Sequence, residues 1–95
     1  MFARMATFDG LEPNQIDDML SEIERRTEGG QPEGIPSVEA LFLVDRNNGQ
    51  LTALSLYDTE EDRQTGDTTL RQMTPPVAEL QSPNVRMYEV ALRRP

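Results

Sequence analysis

The stretch Leu41–Asp62 reads LFLVDRNNGQLTALSLYDTEED and contains two strand-like segments joined by a turn. A strand that buries only one face alternates apolar and polar residues. The first segment, extended back to Ser37, departs from this rule because both of its faces are apolar, with Val38, Ala40, Phe42 and Val44 on one and Leu41 and Leu43 on the other. We therefore predict a sheet with two apolar faces.

The turn within this stretch is Arg46-Asn47-Asn48-Gly49. Asn-Gly between two strand-like segments favours a β-hairpin, since both residues tolerate a positive φ. The predicted hairpin strands are Ser37–Asp45 and Gln50–Tyr57.

Before the hairpin, the sequence predicts a strand over Phe2–Phe8, ended by Asp9-Gly10, and then a helix. The helix is predicted to begin at Glu12-Pro13 and to end at Gly29-Gly30, since proline suits the first helical position. Its apolar residues recur at helical spacing and form one stripe: Ile16, Met19, Leu20 and Ile23. A Gly/Pro-rich connector, residues 29–36, leads back to the sheet.

After the hairpin, Thr59 followed by Asp62 predicts the start of a second helix. We expect Gly66 to interrupt this helix, and Thr74-Pro75-Pro76 to break it and to restart a short turn or helix through Leu80. A last strand is predicted over Val85–Leu92.

The order β-α-β-β-α-β is typical of a ferredoxin-like α+β sandwich. Right-handed crossovers then place four antiparallel strands in the order 4-1-3-2 with both helices on one face. The opposite face is left uncovered. Both faces of the other two strands also carry large residues, since Leu54 and Leu56 oppose Leu51 and Tyr57, and Met87 opposes Tyr88. Because this excess runs over three strands, we predict that a second copy covers it, giving a homodimeric barrel; the alternative is scattered surface exposure, which is common in proteins.

Composition narrows the possible functions. The 95 residues contain no His, Cys, Trp or Lys, and the formal charge is −8. These absences exclude His-based nucleophile pairs, imidazole or thiolate metal sites and Schiff-base lysines. The negative charge disfavours nucleic acid and anionic membrane surfaces, and we expect a single cytoplasmic domain, residues 1–95, without cofactor or metal.

Several of these segments resemble the antibiotic-biosynthesis-monooxygenase-like proteins of the dimeric α+β barrel superfamily. The similar segments are FARMATFDG at the start, the hairpin LFLVDRNNGQLTALSLY, YDTEED after it, and VRMYEV near the end. The resemblance implies a homodimer with a ligand pocket between sheet and helices. Some relatives are cofactor-independent monooxygenases of polyphenolic aromatic compounds. Others degrade haem through a histidine ligand, which this chain lacks.

Four residues are candidates for a ligand pocket: Tyr57, Arg4, Arg86 and Tyr88. The resemblance implies that Tyr57 stands where relatives often have Trp, facing the pocket. A strand-borne arginine can stack on and hydrogen-bond an anionic aromatic ligand. The alternative is that Arg4 and Arg86 are structural residues paired with Glu39 or Glu89, and that the tyrosines only pack.

Acidic runs at the helix starts, Asp17-Asp18 with Glu22 and Glu60-Glu61-Asp62, are more typical of solvated charges favoured by the helix dipole than of metal ligands. Three functions stay open. The chain is predicted to bind a small aromatic or apolar ligand without turnover, to be a cofactor-independent monooxygenase, or to serve only for association.

Overall fold

The computed structural model describes residues 1–75 and 80–95. The elements are β1 (Phe2–Phe8), α1 (Pro13–Thr27), β2 (Glu39–Asp45), β3 (Gln50–Tyr57), α2 (Glu60–Gln72) and β4 (Asn84–Glu89). The strands form one antiparallel sheet in the order β2-β3-β1-β4. The predicted ferredoxin-like α+β fold and strand order are confirmed.

The predicted strand boundaries agree with the structure except in β2 and β4. Strands β1 and β3 begin and end where the sequence predicts, whereas β2 starts two residues later than predicted and β4 ends at Glu89 rather than Leu92. Glu89 lies opposite Phe2, the first residue of β1. Only one further bond continues the ladder, from the Val90 amide to the Met1 carbonyl at 3.0 Å. Residues 90–95 belong to no strand of the described sheet.

The hairpin loop is tied both to itself and to α1. The Asp45 carboxylate accepts hydrogen bonds from the backbone amide and the side-chain amide of Asn48, at 3.2 and 2.8 Å. Gly49 has φ +64°, and a Cβ atom there would lie 2.5 Å from the Leu11 carbonyl oxygen. The Leu11 amide in turn donates to the Gly49 carbonyl at 2.9 Å, so the loop holds the segment that leads into α1.

Helix α1 supplies the apolar core. Ile16 and Met19 are fully buried against Leu11 and Leu51, and partly buried side chains surround them: Phe8, Leu20, Val44 and Leu80. The predicted apolar stripe therefore faces the sheet. Gln15 Oε1 accepts a hydrogen bond from the Glu12 amide at 2.9 Å at the start of the helix.

Helix α2 corrects one prediction. Thr59 caps it as expected, its Oγ1 accepting from the Asp62 amide at 3.0 Å, but Gly66 does not interrupt it, and the helix runs through to Gln72. Gly66 instead lies directly on the Tyr57 ring, where an added Cβ would be 2.7 Å from Cε1 and 2.8 Å from Cζ. The glycine is there for close packing. The predicted break follows Gln72, and the predicted restart falls on residues 76–79, outside the described residues.

The sheet has two different sides. Register places Arg4, Ser55, Tyr57, Phe42 and Met87 on the helix-facing side. The other side, here called the helix-free face, carries a set of large apolar side chains: Met5, Leu41, Leu43, Leu54, Leu56 and Tyr88. Leu43, Tyr88 and Leu41 are 51%, 45% and 43% exposed, which confirms the predicted second apolar face.

Across residues 1–75 and 80–95, neither helix has the length and hydropathy that crossing a bilayer requires.

Replacing Gly66 by alanine tests the close contact between α2 and Tyr57. Alanine favours a helix over glycine by about 0.8–1 kcal/mol, but overpacking against the ring costs about 1–3 kcal/mol. We expect Gly66→Ala to lower the free energy of unfolding by about 1–2 kcal/mol, measured by urea unfolding. Thr65→Ala, at an exposed neighbouring position, is the control and should be neutral or stabilising. A stabilised Gly66→Ala protein would show that the helix does not rest on the tyrosine.

Candidate functional site

A buried ion pair joins the sheet to α2. Arg4, in the central part of β1, directs its side chain to the helix-facing side, where Nε donates to Asp67 Oδ1 at 2.9 Å. Arg4 is 5% exposed and Asp67 6%. Arg71, one helical turn after Asp67, places its Nε 3.0 Å from both Asp67 oxygens. Asp67 therefore has one cationic partner on the sheet and one on its own helix.

The electrostatics of Asp67 are set by two opposing effects. Burial raises the pKa of its carboxyl, while hydrogen bonds and charge from Arg4 and Arg71 lower it, and the net result lies below its usual value. The carboxyl is therefore ionised at neutral pH, which keeps the Arg4 guanidinium compensated.

Tyr57 and Ser55 lie beside this pair on β3. Ser55 is opposite Arg4 in the register of β1 and β3. Its hydroxyl is hydrogen-bonded to the Tyr57 hydroxyl, with 3.1 Å between the oxygens. Tyr57 has no exposed surface, since Gly66 covers its ring. We call Arg4, Ser55, Tyr57 and Asp67 the buried polar cluster.

The four residues singled out from the sequence fall on two sides of the sheet. Arg4 and Tyr57 share the helix-facing side and lie within the buried polar cluster. Arg86 and Tyr88 lie on the helix-free face, opposite Met5 and Ala3. Within one chain, the sheet itself therefore separates the two pairs.

The predicted alternative partners of Arg4, Glu39 and Glu89, are wrong. Arg4 pairs with Asp67. Glu39 instead accepts from Arg93, with 2.6 Å between Nη2 and Oε2. Among the described residues 1–75 and 80–95, no nitrogen of Arg86 lies close enough to a carboxylate oxygen of Glu39 or Glu89 to form an ion pair.

Sequence reasoning missed Asp67. Its spacing to Arg71 is a visible signal, because side chains four residues apart are neighbours on a helix. Its bond to Arg4 is not visible, since the two residues are 63 positions apart. Only the packing of α2 on β1 brings them together.

Two hollows lie beside the connector. One hollow of about 300 Å³ is lined by the connector residues 31–36 and Thr65. A second, of about 260 Å³, lies between the connector and β2, with Val38, Ala40 and Phe42 in its wall. Tyr57 lines neither of these two hollows, and its side chain is fully buried.

The comparison with known proteins rests on structure. No protein-family model matches the chain, and no curated protein matches its sequence. A crystal structure of an antibiotic biosynthesis monooxygenase matches 97% of this chain and 100% of its own, with a TM-score of 0.63 and 14% identity. A proposed antibiotic biosynthesis monooxygenase from Chloroflexus aurantiacus J-10-fl matches 99% of this chain and 96% of its own, with a TM-score of 0.62 and 8% identity.

The chain has the fold of these monooxygenases. An uncharacterised NIPSNAP-like domain protein from Burkholderia xenovorans shares it, with a TM-score of 0.61, 18% identity and coverage of 99% of this chain and 89% of its own. At these identities the likeness shows the fold alone, because one fold supports many functions. The resemblance seen in the sequence is confirmed at that level.

Neutralising Asp67 tests the ion pair. Removing one partner of a buried pair costs up to about 3–5 kcal/mol, so we expect Asp67→Asn to be destabilised by up to that amount at pH 7 in urea unfolding. Because the pKa of folded Asp67 is lowered, its contribution is complete above about pH 4 and is lost as the pH falls through the folded value.

The stability difference between wild type and Asp67→Asn should therefore shrink below about pH 4. Glu61→Gln, which removes the same charge from an exposed site on α2, is the control and should change stability little. A difference that stays constant down to pH 2 would contradict the assignment.

Proposed function

We propose that residues 1–95 act as one domain of a homodimeric barrel, in which the helix-free faces of two copies pack together. In this proposal the helix-facing side binds a small aromatic or apolar ligand without turnover. The observation that carries the proposal is the helix-free face, which no element among residues 1–75 and 80–95 covers. A cytoplasmic location, consistent with a cysteine-free chain, is part of it.

Energetics support the homodimer. Full burial of one large apolar side chain contributes about 1.5–3 kcal/mol. Covering the partly exposed side chains of the helix-free face therefore contributes several kcal/mol, against a net domain stability of about 5–15 kcal/mol. A two-fold partner presents the same patch and completes the burial for both copies. Arg86 and Tyr88 then belong to the interface and not to the ligand pocket.

Charge placement supports the same arrangement. Acidic residues concentrate on and near the two helices, as in Asp17-Asp18 and Glu60–Asp62. The helices lie on the opposite side of the sheet from the proposed interface. Two copies, each with a charge of −8, can thus meet with these acidic residues on their outer sides.

The buried polar cluster and the open strand edges support ligand binding on the other side. Phe42 and Met87, on the two edge strands, are 38% and 37% exposed although they face the helices' side. A planar guanidinium and an aromatic ring next to each other suit an aromatic ligand with one polar group. With arginine as its only basic side-chain type, the chain suits binding better than proton-transfer chemistry.

The second candidate is a cofactor-independent monooxygenase of a small polyphenolic compound. The fold shared with proteins described as antibiotic biosynthesis monooxygenases supports it, together with the Ser55–Tyr57 hydroxyl pair. In that function Tyr57 would contact the substrate.

The homodimer is tested with two neighbouring residues of β2. Leu41 and Phe42 are similarly exposed, at 43% and 38%, but lie on opposite sides of the sheet. We expect Leu41→Glu to weaken the dimer at least about tenfold, since a buried unpaired charge is costly. Light scattering should then show the 10.7 kDa monomer. Phe42→Glu should remain dimeric. A wild-type protein that is folded and monomeric at micromolar concentration would refute the homodimer.

Ligand binding and turnover are separated by two assays on the same protein. Titration with a panel of hydroquinones and anthrones should give saturable NMR shifts at Tyr57 and Arg4. Oxygen uptake should stay at background with the same panel. Uptake that Tyr57→Phe abolishes would favour the monooxygenase. If the panel neither binds nor supports oxygen uptake, the remaining function is that of a domain that serves only for association.

A further inference from the structure

Helix α2 is attached to the sheet by polar contacts. Leu70 is the only large apolar residue among positions 60–72, and the buried residues of the helix are Gly66 and Asp67. Helix α1 instead buries Ile16 and Met19, and it supplies both to the core cluster, to which α2 contributes none of the buried residues. The two helices are therefore attached by different forces.

The contacts that hold α2 are of the kind that water or a solute can replace. Besides the Asp67–Arg4 pair, Arg63 Nη1 donates to the Tyr88 carbonyl at 2.9 Å, and its guanidinium lies 5.2 Å from the centre of the Phe2 ring. Thr69 Oγ1 donates to the Gly34 carbonyl at 2.7 Å. Elements with few buried apolar contacts open at lower free energy than the core.

The ion pair is asymmetric with respect to this opening. When α2 moves away, Asp67 keeps Arg71, which belongs to the same helix, four residues on. Arg4 stays on β1 and loses the carboxylate, in a site whose walls are Ser55 and Tyr57. Opening thus leaves the Arg4 guanidinium without its carboxylate partner, next to an uncovered aromatic ring.

We propose that Asp67 is an internal ligand of Arg4, and that α2 is a lid which this contact holds closed. A small aromatic carboxylate or phenolate takes the place of the Asp67 carboxylate on the guanidinium. Its ring lies on Tyr57, in the space that Gly66 fills in the closed form. The inference rests on the proposed ligand binding and adds the class of ligand, an aromatic anion, and the group that competes with it.

Two features favour an anion over a neutral ligand. A guanidinium and a carboxylate form charge-assisted hydrogen bonds, which are roughly twice as strong as neutral ones. A neutral ligand would have to leave Arg4 buried without compensation, a costly state. The site on Arg4 that the Asp67 carboxylate occupies in the closed form is therefore suited to an anionic ligand.

The lid is tested through Tyr57 fluorescence. The chain has two tyrosines, so Tyr88→Phe leaves Tyr57 as the only one. In that background, acrylamide quenching of tyrosine fluorescence reports the exposure of Tyr57. We expect Asp67→Asn to raise the quenching constant at least threefold and Glu61→Gln to leave it unchanged. Equal quenching in the two variants would overturn the lid.

Hydrogen exchange of the wild-type protein tests the lid without any substitution, so destabilisation of a variant cannot affect the result. The amides of α2 should exchange at least tenfold faster than those of α1 and β3, with little dependence on low concentrations of urea. Exchange of both helices at the same rate would overturn the lid as well.

The internal ligand is tested with benzoate, and benzamide is its neutral counterpart. Asp67→Ala removes the competing carboxylate, so we expect it to bind benzoate at least tenfold more tightly than wild type and Glu61→Gln do, and to gain thermal stability from it. Benzamide should show no such difference. Equal benzoate affinity in wild type and Asp67→Ala would overturn the competition. If quenching and hydrogen exchange show that α2 opens but benzoate binds neither to the wild type nor to any variant, the lid stands and the proposed ligand site is refuted.

Discussion

The alternation of side chains along β2 and β3 governs this structure. Neighbouring residues on a strand point to opposite sides of the sheet, so a segment such as Leu41-Phe42-Leu43 must place apolar groups on both. The chain has two helices, and right-handed crossovers put both on the same side. One apolar side is therefore covered from within the chain, and Leu41, Leu43 and Tyr88 are left partly exposed on the other. The function of the protein has to be compatible with this partly exposed apolar face.

The covered side is itself divided. Under α1 the contact is apolar, with Ile16, Met19 and Leu51 in full burial. Under α2 it consists of an ion pair, a hydroxyl pair and a glycine lying on a tyrosine ring. Loss of the polar contacts under α2 would leave the main apolar core in place, whereas loss of α1 would remove Ile16 and Met19 from that core. The apolar core and the buried polar cluster thus lie in different parts of the molecule.

The local signals in the sequence were sufficient for the fold. The predicted bounds of β1 and β3 match the structure to the residue, the stripe from Ile16 to Ile23 located α1, and Asn48-Gly49 located the hairpin. The errors concern positions whose structure is decided far away in sequence. The sequence predicts a helix break at Gly66 because local signals do not show the Tyr57 ring beneath it. It predicts a β4 that continues past Glu89 because local signals do not show where the pairing with β1 stops. Asp67 was missed for the same reason.

The shared fold leaves the shape of the helix-facing side undetermined. In this chain Gly66 lets the α2 backbone come down onto Tyr57, so the ring is sealed and the open hollows lie beside the connector instead. A larger residue at this one position would hold the helix away from the sheet and change the space below it. Whether a protein of this fold has a pocket here therefore depends on the side chains of α2. Their polar character in this chain is the reason to propose movement of the helix, and not a preformed cavity, as the route to Arg4 and Tyr57.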